Sequence, residues 1–214
     1  MQVAKPKKGY KLVKTSFGKY EEIPEEWEYN DFKKLVFFQE GPGLLKGQFG
    51  TSGIPFLNIR TITNKGIDKS KCQFVKQEEF EGRYEHFLLD ENDIVISSSG
   101  TLGKTTTIKK SDLPLMLNTS TIRLRPNDEK LLDRKFLQYF LHTEMFKKQI
   151  MLMNTGTAIL NFGPSHLNQM KIICPKLKEQ QKISSVISNV DDTLQKTNQI
   201  IEQTQRLKKG MMQK

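Results

Sequence analysis

The last part of the chain is an uninterrupted stretch that lacks helix breakers. Residues 177–212 contain one glycine, Gly210, and no proline. The pattern predicts a helix of ~30 residues, which at about 1.5 Å per residue is roughly 45 Å long. Its apolar face fits either a coiled coil with a partner helix or an ordinary terminal helix that packs on its own domain. The apolar residues that recur at the spacing of one helix face are Ile183, Ile187, Val190, Leu194, Ile201 and Leu207.

The residues before this helix carry the signals of a domain that mixes strands and helices. Short β-branched or alternating runs, at residues 93–97, 105–108 and 119–124, predict strands of a mixed sheet. Residues 133–153 then switch to a helical period. We therefore expect an α+β fold, with a globular domain over residues 1–176 and one long coiled-coil helix over residues 177–214.

The single tryptophan lies near the start of the globular domain. Trp27 is flanked by Ile23, Phe32 and Leu35, which are natural packing partners. We predict that Trp27 anchors the core, and the alternative is a platform on which a nucleic-acid base stacks.

Basic residues outnumber acidic ones. Lys and Arg number 34 against 24 Asp and Glu, which gives a formal net charge of +10 and a pI near 9.5. Such a surplus fits a polyanionic partner, because Lys and Arg that neutralise phosphates release condensed counterions. It fits equally a basic surface that only water covers.

Several classes of protein are disfavoured by what the sequence contains. Cys72 and Cys174 lie far apart, and neither belongs to a Cys/His cluster, so neither a metal site nor a disulfide framework is expected. No stretch approaches the ~18 apolar residues of a membrane span, and the basic N-terminus is not followed by an apolar run. We expect a soluble, cytoplasmic protein without a cofactor.

Two segments imitate catalytic motifs. Residues 97–105 end in Gly-Lys-Thr, but a phosphate-binding P-loop needs glycine where Ser98 lies, and it needs a helix where residues 105–108 predict a strand. Asp128 and Asp133 resemble metal-binding acids of a nuclease, yet helix capping explains acids at a helix start. We therefore predict no catalytic residues.

Several short motifs together resemble the specificity subunits of type I restriction-modification systems, over nearly the whole chain. Pro175 and the residues after it resemble the Pro-x-x-Glu-Gln opening of the family's conserved helix, although the proline-rich turn usual before it is altered here. The other motifs are Gly9-Tyr10-Lys11, Ile23-Pro24-Glu25-Glu26-Trp27-Glu28, Gly53-Ile54-Pro55-Phe56-Leu57-Asn58-Ile59-Arg60, Asp93-Ile94-Val95-Ile96 followed by Gly100-x-x-Gly103, and Leu207-Lys208-Lys209-Gly210-Met211-Met212-Gln213.

This resemblance implies a DNA-reading module that has no catalytic activity of its own. The globular part would be a target-recognition domain that reads one half of a split site in double-stranded DNA. The helix would pack antiparallel on a second such helix, set the distance between half-sites, and help to dock methyltransferase (M) subunits and, indirectly, the restriction (R) subunit. Family members typically carry two recognition domains and two helices, so this chain is either half of a longer subunit or a natural half-subunit. A half-subunit would form a homodimer through its helix.

Candidate DNA contacts are polar and basic side chains near predicted loops. Base edges are read by paired donors and acceptors, and phosphates are bound by Lys, Arg, hydroxyls and backbone amides. For each residue the alternative is a role in a turn or a helix cap. The candidates are Asn58, Arg60, Ser99, Thr101, Lys104, Asn118, Ser120, Thr121, Thr155 and Thr157.

Two other functions remain as alternatives. One is a standalone dimeric DNA- or RNA-binding regulator unconnected with restriction, and the other is a nucleotide-dependent protein that uses the loop over residues 100–105. Co-purification with a methyltransferase subunit separates the first from a specificity subunit, and stabilisation by ATP with magnesium would reveal the second.

Overall fold

A computed structural model describes residues 5–15, 20–63, 66–99, 103–153 and 161–212 of the chain. Its strands are β1 (Tyr10–Lys14), β2 (Tyr20–Pro24), β3 (Glu28–Asp31), β4 (Val36–Glu40), β5 (Phe49–Gly50), β6 (Ile54–Phe56), β7 (Ile62–Thr63), β8 (Gly66–Ile67), β9 (Gln73–Val75), β10 (Ile94–Ser97), β11 (Thr105–Thr107), β12 (Thr121–Pro126) and β13 (Lys171–Cys174). Its α-helices are α1 (Phe32–Leu35), α2 (Gln77–Phe80), α3 (Arg134–Phe140), α4 (Glu144–Met153), α5 (Pro164–Leu167) and α6 (Leu177–Met211).

The centre of the body, as we call the part before α6, is a four-stranded sheet in the order β11-β10-β12-β4. Each neighbouring pair is antiparallel, with Val95 opposite both Thr106 and Arg123. Successive side chains of a strand point to opposite faces. Ile94 and Ile96 therefore join one apolar cluster while Val95 joins another, and β10 is buried on both sides.

The larger cluster packs α3, α4 and α5 against one face of this sheet. Phe32 is fully buried at its centre, with ring centroids 6.3 Å from those of Phe140 and Phe146. Phe162 meets Phe146 edge to face at 6.2 Å. Burying aromatic rings of this size supplies much of the apolar stabilisation of a small body.

The other face of the sheet carries a second, smaller layer. A three-stranded sheet, in the order β5-β9-β6, and the β7–β8 hairpin lie here. An isolated parallel bridge joins Phe56 to Met116, and the Leu57 amide donates to the Met116 carbonyl at 2.8 Å. The segment after β6 therefore lies next to the segment that leads into β12.

A buried network of charged side chains lies at the end of the central sheet where β10 begins, which is the end away from Glu40. Asp93, which is 1% exposed, accepts from the Arg125 guanidinium at 2.8 Å and lies 3.7 Å from Arg123. The Arg123 guanidinium also donates to the carbonyl of Leu88 at 2.6 Å and to Gln39. Removing one partner of such a network leaves a buried charge without compensation.

The first third of α6 packs on the body. Gln180, 1% exposed, accepts from the Asp133 amide at 2.8 Å and donates to the carbonyls of Leu131 and Pro175 at 3.0 and 2.8 Å. Ser184 donates to Asp133 at 2.9 Å. The body therefore fixes the direction in which α6 leaves it.

The predicted α+β class with a long C-terminal helix is confirmed, but two details of the sequence analysis are wrong. Residues 133–153 form two helices, because the chain turns at residues 141–143 and the Thr143 hydroxyl accepts from the Phe146 amide at 3.2 Å, at the start of α4. Trp27 is half-buried, outside the apolar clusters, and its indole donates to Glu179 at 3.2 Å. Asp133 caps α3 as predicted, because its carboxylate accepts from the Phe136 amide at 2.8 Å. Among the helices that the structure describes, none is long and apolar enough to cross a membrane.

Candidate nucleic-acid interface

One edge of the central sheet collects loops that are far apart in sequence. β10 and β4 end at this edge, and β11 and β12 begin there, because each neighbouring pair is antiparallel. We call this region the loop edge, and it comprises residues 41–43, 97–99, 103–104, 118–121 and 161–163. Surface loops held by a rigid sheet are the usual place for binding residues.

The turn between β10 and β11 is closed by bonds between its two ends. The Ser97 amide donates to the Lys104 carbonyl at 2.8 Å, and the Lys104 amide donates to the Ser97 hydroxyl at 3.0 Å. Gly103 has a φ of +79°, in the left-handed region that favours glycine. This closure presents Ser99 and Lys104 on either side of the turn, and the Lys104 side chain is exposed, without an ion-pair partner among the described residues.

The turn before β12 is held by the side chain of Asn118. Its Oδ1 accepts from the Ser120 amide at 2.9 Å and from the Ser120 hydroxyl at 2.7 Å, while the Thr121 hydroxyl donates to the Asn118 carbonyl at 3.1 Å. The Asn118 Nδ2 has no partner among the described residues. That amide group is therefore a donor that can serve a base or a phosphate.

Backbone bonds join these turns to one another. The Ser98 amide donates to the Ser120 carbonyl at 2.9 Å, and the Phe162 amide donates to the Ser98 carbonyl at 3.0 Å. Gly41 passes so close to residues 117 and 118 that a Cβ there would lie 2.4 Å from the Asn118 amide nitrogen. The loop edge is consequently a single connected surface, and Gly41 and Phe162 belong to it although neither was among the predicted contacts.

Two ionisable groups near the loop edge have shifted pKa values. Burial lowers the pKa of His142, with a further contribution from Lys147, and Asp191 opposes the shift. The His142 Nε2 lies 2.7 Å from the hydroxyl of Thr105, the residue after Lys104. Burial also raises the pKa of Glu40, at the end of β4.

Asn58 and Arg60 lie apart from the loop edge, in the turn after β6. The Asn58 side chain accepts from the Arg60 amide at 2.9 Å and donates to the Lys71 carbonyl at 3.1 Å, so both of its polar groups shape the turn. Arg60 is exposed. Three further candidates, Thr101, Thr155 and Thr157, lie outside the described residues.

The loop edge therefore brings together five of the predicted contacts, which are Ser99, Lys104, Asn118, Ser120 and Thr121. Thr121 is fully buried and its hydroxyl donates to the Asn118 carbonyl, so it holds the turn and the other four are the accessible candidates. Thr119 is exposed at the tip between Asn118 and Ser120, and it is a sixth candidate that the adjacent turn residues could have indicated. Within the described ranges, no group of three or more His, Cys, Asp or Glu residues could hold a metal ion.

The predicted dimerisation residues divide between two environments. Ile183 packs against the large apolar cluster of the body, and Ile187 is half-buried. Beyond Ser188 every described residue of α6 is exposed. The four distal residues keep large exposed fractions, namely Val190 at 54%, Leu194 at 55%, Ile201 at 48% and Leu207 at 64%.

Comparisons with known proteins agree on one family. A family model described as type I restriction modification DNA specificity domain matches residues 24–206. The specificity subunit of the type I restriction enzyme MjaVIII of Methanocaldococcus jannaschii is 29% identical over 203 residues, which cover 92% of this chain and 47% of that protein. The chain spans about half the length of the curated relatives that it matches.

Solved structures share the fold. The S subunit of a type I restriction-modification system from M. genitalium has a TM-score of 0.55 and 21% identity, covering 82% of this chain and 42% of that chain. The HsdS subunit from Thermoanaerobacter tengcongensis has a TM-score of 0.59 and 17% identity, covering 80% and 39%. At these identities the likeness shows the fold alone.

Proposed function

The chain belongs to the type I restriction-modification DNA specificity family, and on that premise we propose that its body reads one half of a bipartite site in double-stranded DNA. The loop edge supports this most directly, because it combines an exposed lysine, a free amide donor and several hydroxyls on one connected surface. These are the groups that contact phosphates and base edges.

We propose that residues 1–176 and residues 177–214 have different roles. The body recognises DNA, and α6 spaces two bodies and helps to dock methyltransferase subunits, with the restriction subunit joining indirectly. We assign no catalytic step to this chain, so methyl transfer and cleavage belong to the other subunits. The names of the matched relatives favour this function over a standalone regulator.

We further propose that two copies of the chain associate through α6. The exposed Val190, Leu194 and Ile201 provide the apolar face that such a contact needs. Two copies related by a two-fold axis would read a two-fold symmetric split sequence. A monomeric mass at high protein concentration would contradict the homodimer and leave DNA reading by the body untouched.

The first experiment identifies the DNA target. The chain is co-expressed with the adjacent methyltransferase gene, and methylated adenines are mapped across the genome. We expect co-purification of the two proteins and methylation of one split sequence. A complex that forms but methylates no defined sequence would refute the proposed function.

The second experiment tests the loop edge on that target at about 0.1 M salt. Lys104→Ala should weaken binding to specific and nonspecific DNA alike and reduce the salt slope by about 1. Asn118→Asp retains the oxygen that accepts from Ser120 but replaces the amide donor, and it should cost about 1–3 kcal/mol on the specific site. Lys109→Ala, at the far end of β11, is the matched control and should bind normally. Unchanged affinity in both loop-edge variants would refute the assignment.

A further inference from the structure

The segment that joins β4 to β5 turns one leucine toward water. Leu45 is 78% exposed, which is the largest exposed fraction among the large apolar residues that the structure describes. Its neighbour Leu44 packs against a small apolar cluster in the second layer of the body, formed by Phe56, Val75, Phe80 and Met116. We call residues 44–48 the leucine tip. One leucine therefore anchors the tip, and the other contributes nothing to the core.

Hydrogen bonds hold the backbone of the leucine tip in one conformation. The Leu45 amide donates to the Gln48 Oε1 at 2.9 Å, and the Gln48 amide donates to the Leu45 carbonyl at 3.0 Å. The Gln48 Nε2 in turn donates to the Glu79 carboxylate at 3.0 Å and to the Tyr84 hydroxyl at 3.3 Å. The exposed leucine therefore lies on a preorganised turn, so a ligand that covers it does not have to order the loop.

The leucine tip continues directly from the loop edge. The Gly41 amide donates to the Asn118 carbonyl at 3.2 Å, and a Cβ on Gly43 would lie 3.4 Å from the Thr119 side chain. Leu45 follows Gly43 by two residues, which span at most about 7 Å. Because the major groove of B-DNA is ~12 Å wide, a duplex that contacts Asn118 and Thr119 would also come within reach of Leu45.

The surroundings of Leu45 favour DNA over a protein as its partner. Lys46 is exposed beside it, and between residues 41 and 63, all of which the structure describes, Leu45 is the one exposed large apolar side chain. A stable protein interface buries about 800 Å² on each partner, and an isolated leucine does not supply an apolar patch of that size. DNA offers apolar targets that match one side chain, namely the thymine methyl group and the stacked faces of the bases.

We infer that Leu45 makes an apolar contact with a base of the half-site, either at a thymine methyl group or at the face of a base that it partly unstacks. The inference rests on the proposed DNA reading by the body and adds a specificity-determining residue to it. Lys104 and Asn118 supply charge and hydrogen bonds, and Leu45 supplies apolar shape. Because the leucine side chain carries no charge, it adds to specificity without adding to the salt-dependent part of the affinity.

The affinity of the chain in its complex with the methyltransferase subunit, measured on the target sequence and on random DNA, tests the inference. Leu45→Ala should weaken binding to the target about tenfold and leave the affinity for random DNA and the salt slope unchanged. Leu45→Met keeps an apolar side chain and should retain most of the target affinity. Leu131→Ala is the matched control and should bind as the wild type does, because Leu131 is 58% exposed and follows the end of β12 that lies away from the loop edge.

Two DNA probes distinguish the two kinds of base contact. Where Leu45 contacts a thymine, replacing that thymine by deoxyuridine removes the methyl group and should weaken binding of the wild-type chain but not of Leu45→Ala. Where Leu45 unstacks a base, 2-aminopurine at that step should fluoresce more strongly in the wild-type complex than in the Leu45→Ala complex. The absence of both differences would overturn the inference.

The affinities separate failure of the inference from failure of the proposed function. Unchanged target affinity in Leu45→Ala, or an equal loss on target and random DNA, would refute a base contact at Leu45 and leave DNA reading by the body intact. A wild-type complex that does not prefer its target over random DNA would instead refute the proposed function itself.

Discussion

The body and the part of α6 beyond the hydrogen bond from Tyr139 to Asp191 differ in how much apolar surface they expose. We call this part of α6, residues 192–211, the free half. In the body, β10 is buried on both faces and Phe32 has no exposed surface. In the free half every residue is exposed, including Leu194 and Ile201. The body is therefore complete within one copy, whereas a helix that extends into water without a partner is only marginally stable. The difference supports the proposal that two copies associate through α6.

The largest expected effect comes from breaking the ion network of the body. Asp93→Ala leaves the buried Arg123 without its compensating charge, and it should lower the free energy of unfolding by about 3–5 kcal/mol. Leu194→Ala in the free half should change the unfolding of a monomeric body by less than about 0.5 kcal/mol. Denaturant titrations at several protein concentrations measure both. Asp90→Ala is the control, because its side chain is 70% exposed and its ion pair should contribute less than about 1 kcal/mol.

The next effect concerns the joint between the two regions. Gln180→Ala removes the acceptor of the Asp133 amide and the donor to two carbonyls, and it should cost about 1–3 kcal/mol. Hydrogen exchange should then accelerate in the first turns of α6. Gln181→Ala, at an exposed position on the same helix, should leave both quantities unchanged. Equal behaviour of the two variants would mean that the joint does not depend on this side chain.

A smaller effect is expected from pH. His142 has a pKa below its ordinary value in the folded chain, so the unfolded chain binds more protons in the range between the two pKa values. The stability that His142 contributes is complete above about pH 6.5, and it is lost as the pH falls through the lowered pKa. His142→Gln should therefore flatten the dependence of unfolding free energy on pH between 7.5 and 5. An unchanged slope would contradict this prediction.

The smallest change is in reactivity at the joint. Burial raises the pKa of the Cys174 thiol to about 12, with a further contribution from Glu28. Since the thiolate is the reactive form, a thiol reagent at pH 8 should modify Cys174 about 100-fold more slowly in the folded chain than in denaturant. Cys72, which is only partly buried, serves as the internal comparison. Rapid labelling of Cys174 would show that α6 separates from the body.

Local patterns in the sequence were sufficient to predict several helices and strands and the α+β fold class. The start of α6, the strand at residues 105–107 and the Asp133 cap all follow from short-range signals that the structure bears out. The break between α3 and α4 could also have been predicted, because Thr143 is a residue type that caps helices. The apolar period that continues through residues 133–153 indicated a single helix instead.

Long-range contacts could not be predicted in this way. The role of Trp27 depends on Glu179, 152 residues away, and no local signal connects them. The loop edge depends on the strand order β11-β10-β12-β4, which does not follow the sequence, so Ser98, Ser120 and Phe162 become neighbours only after folding. The polar residues near glycines were enough to predict individual turns, but they gave no indication that these turns form one surface.

The hydrogen bond from the Tyr139 hydroxyl to Asp191 holds α6 against the body as far as residue 191, and the free half lies beyond it. Under the proposed function, the loop edge and the free half determine two properties that mutation can change independently. An insertion or deletion beyond Asp192 would then alter the distance between two bodies and change no residue of the loop edge. Exchange of side chains at the loop edge would alter the preferred bases and change no residue of the free half. A protein of this architecture would therefore acquire a new DNA target without a change of spacing, and a new spacing without a change of target.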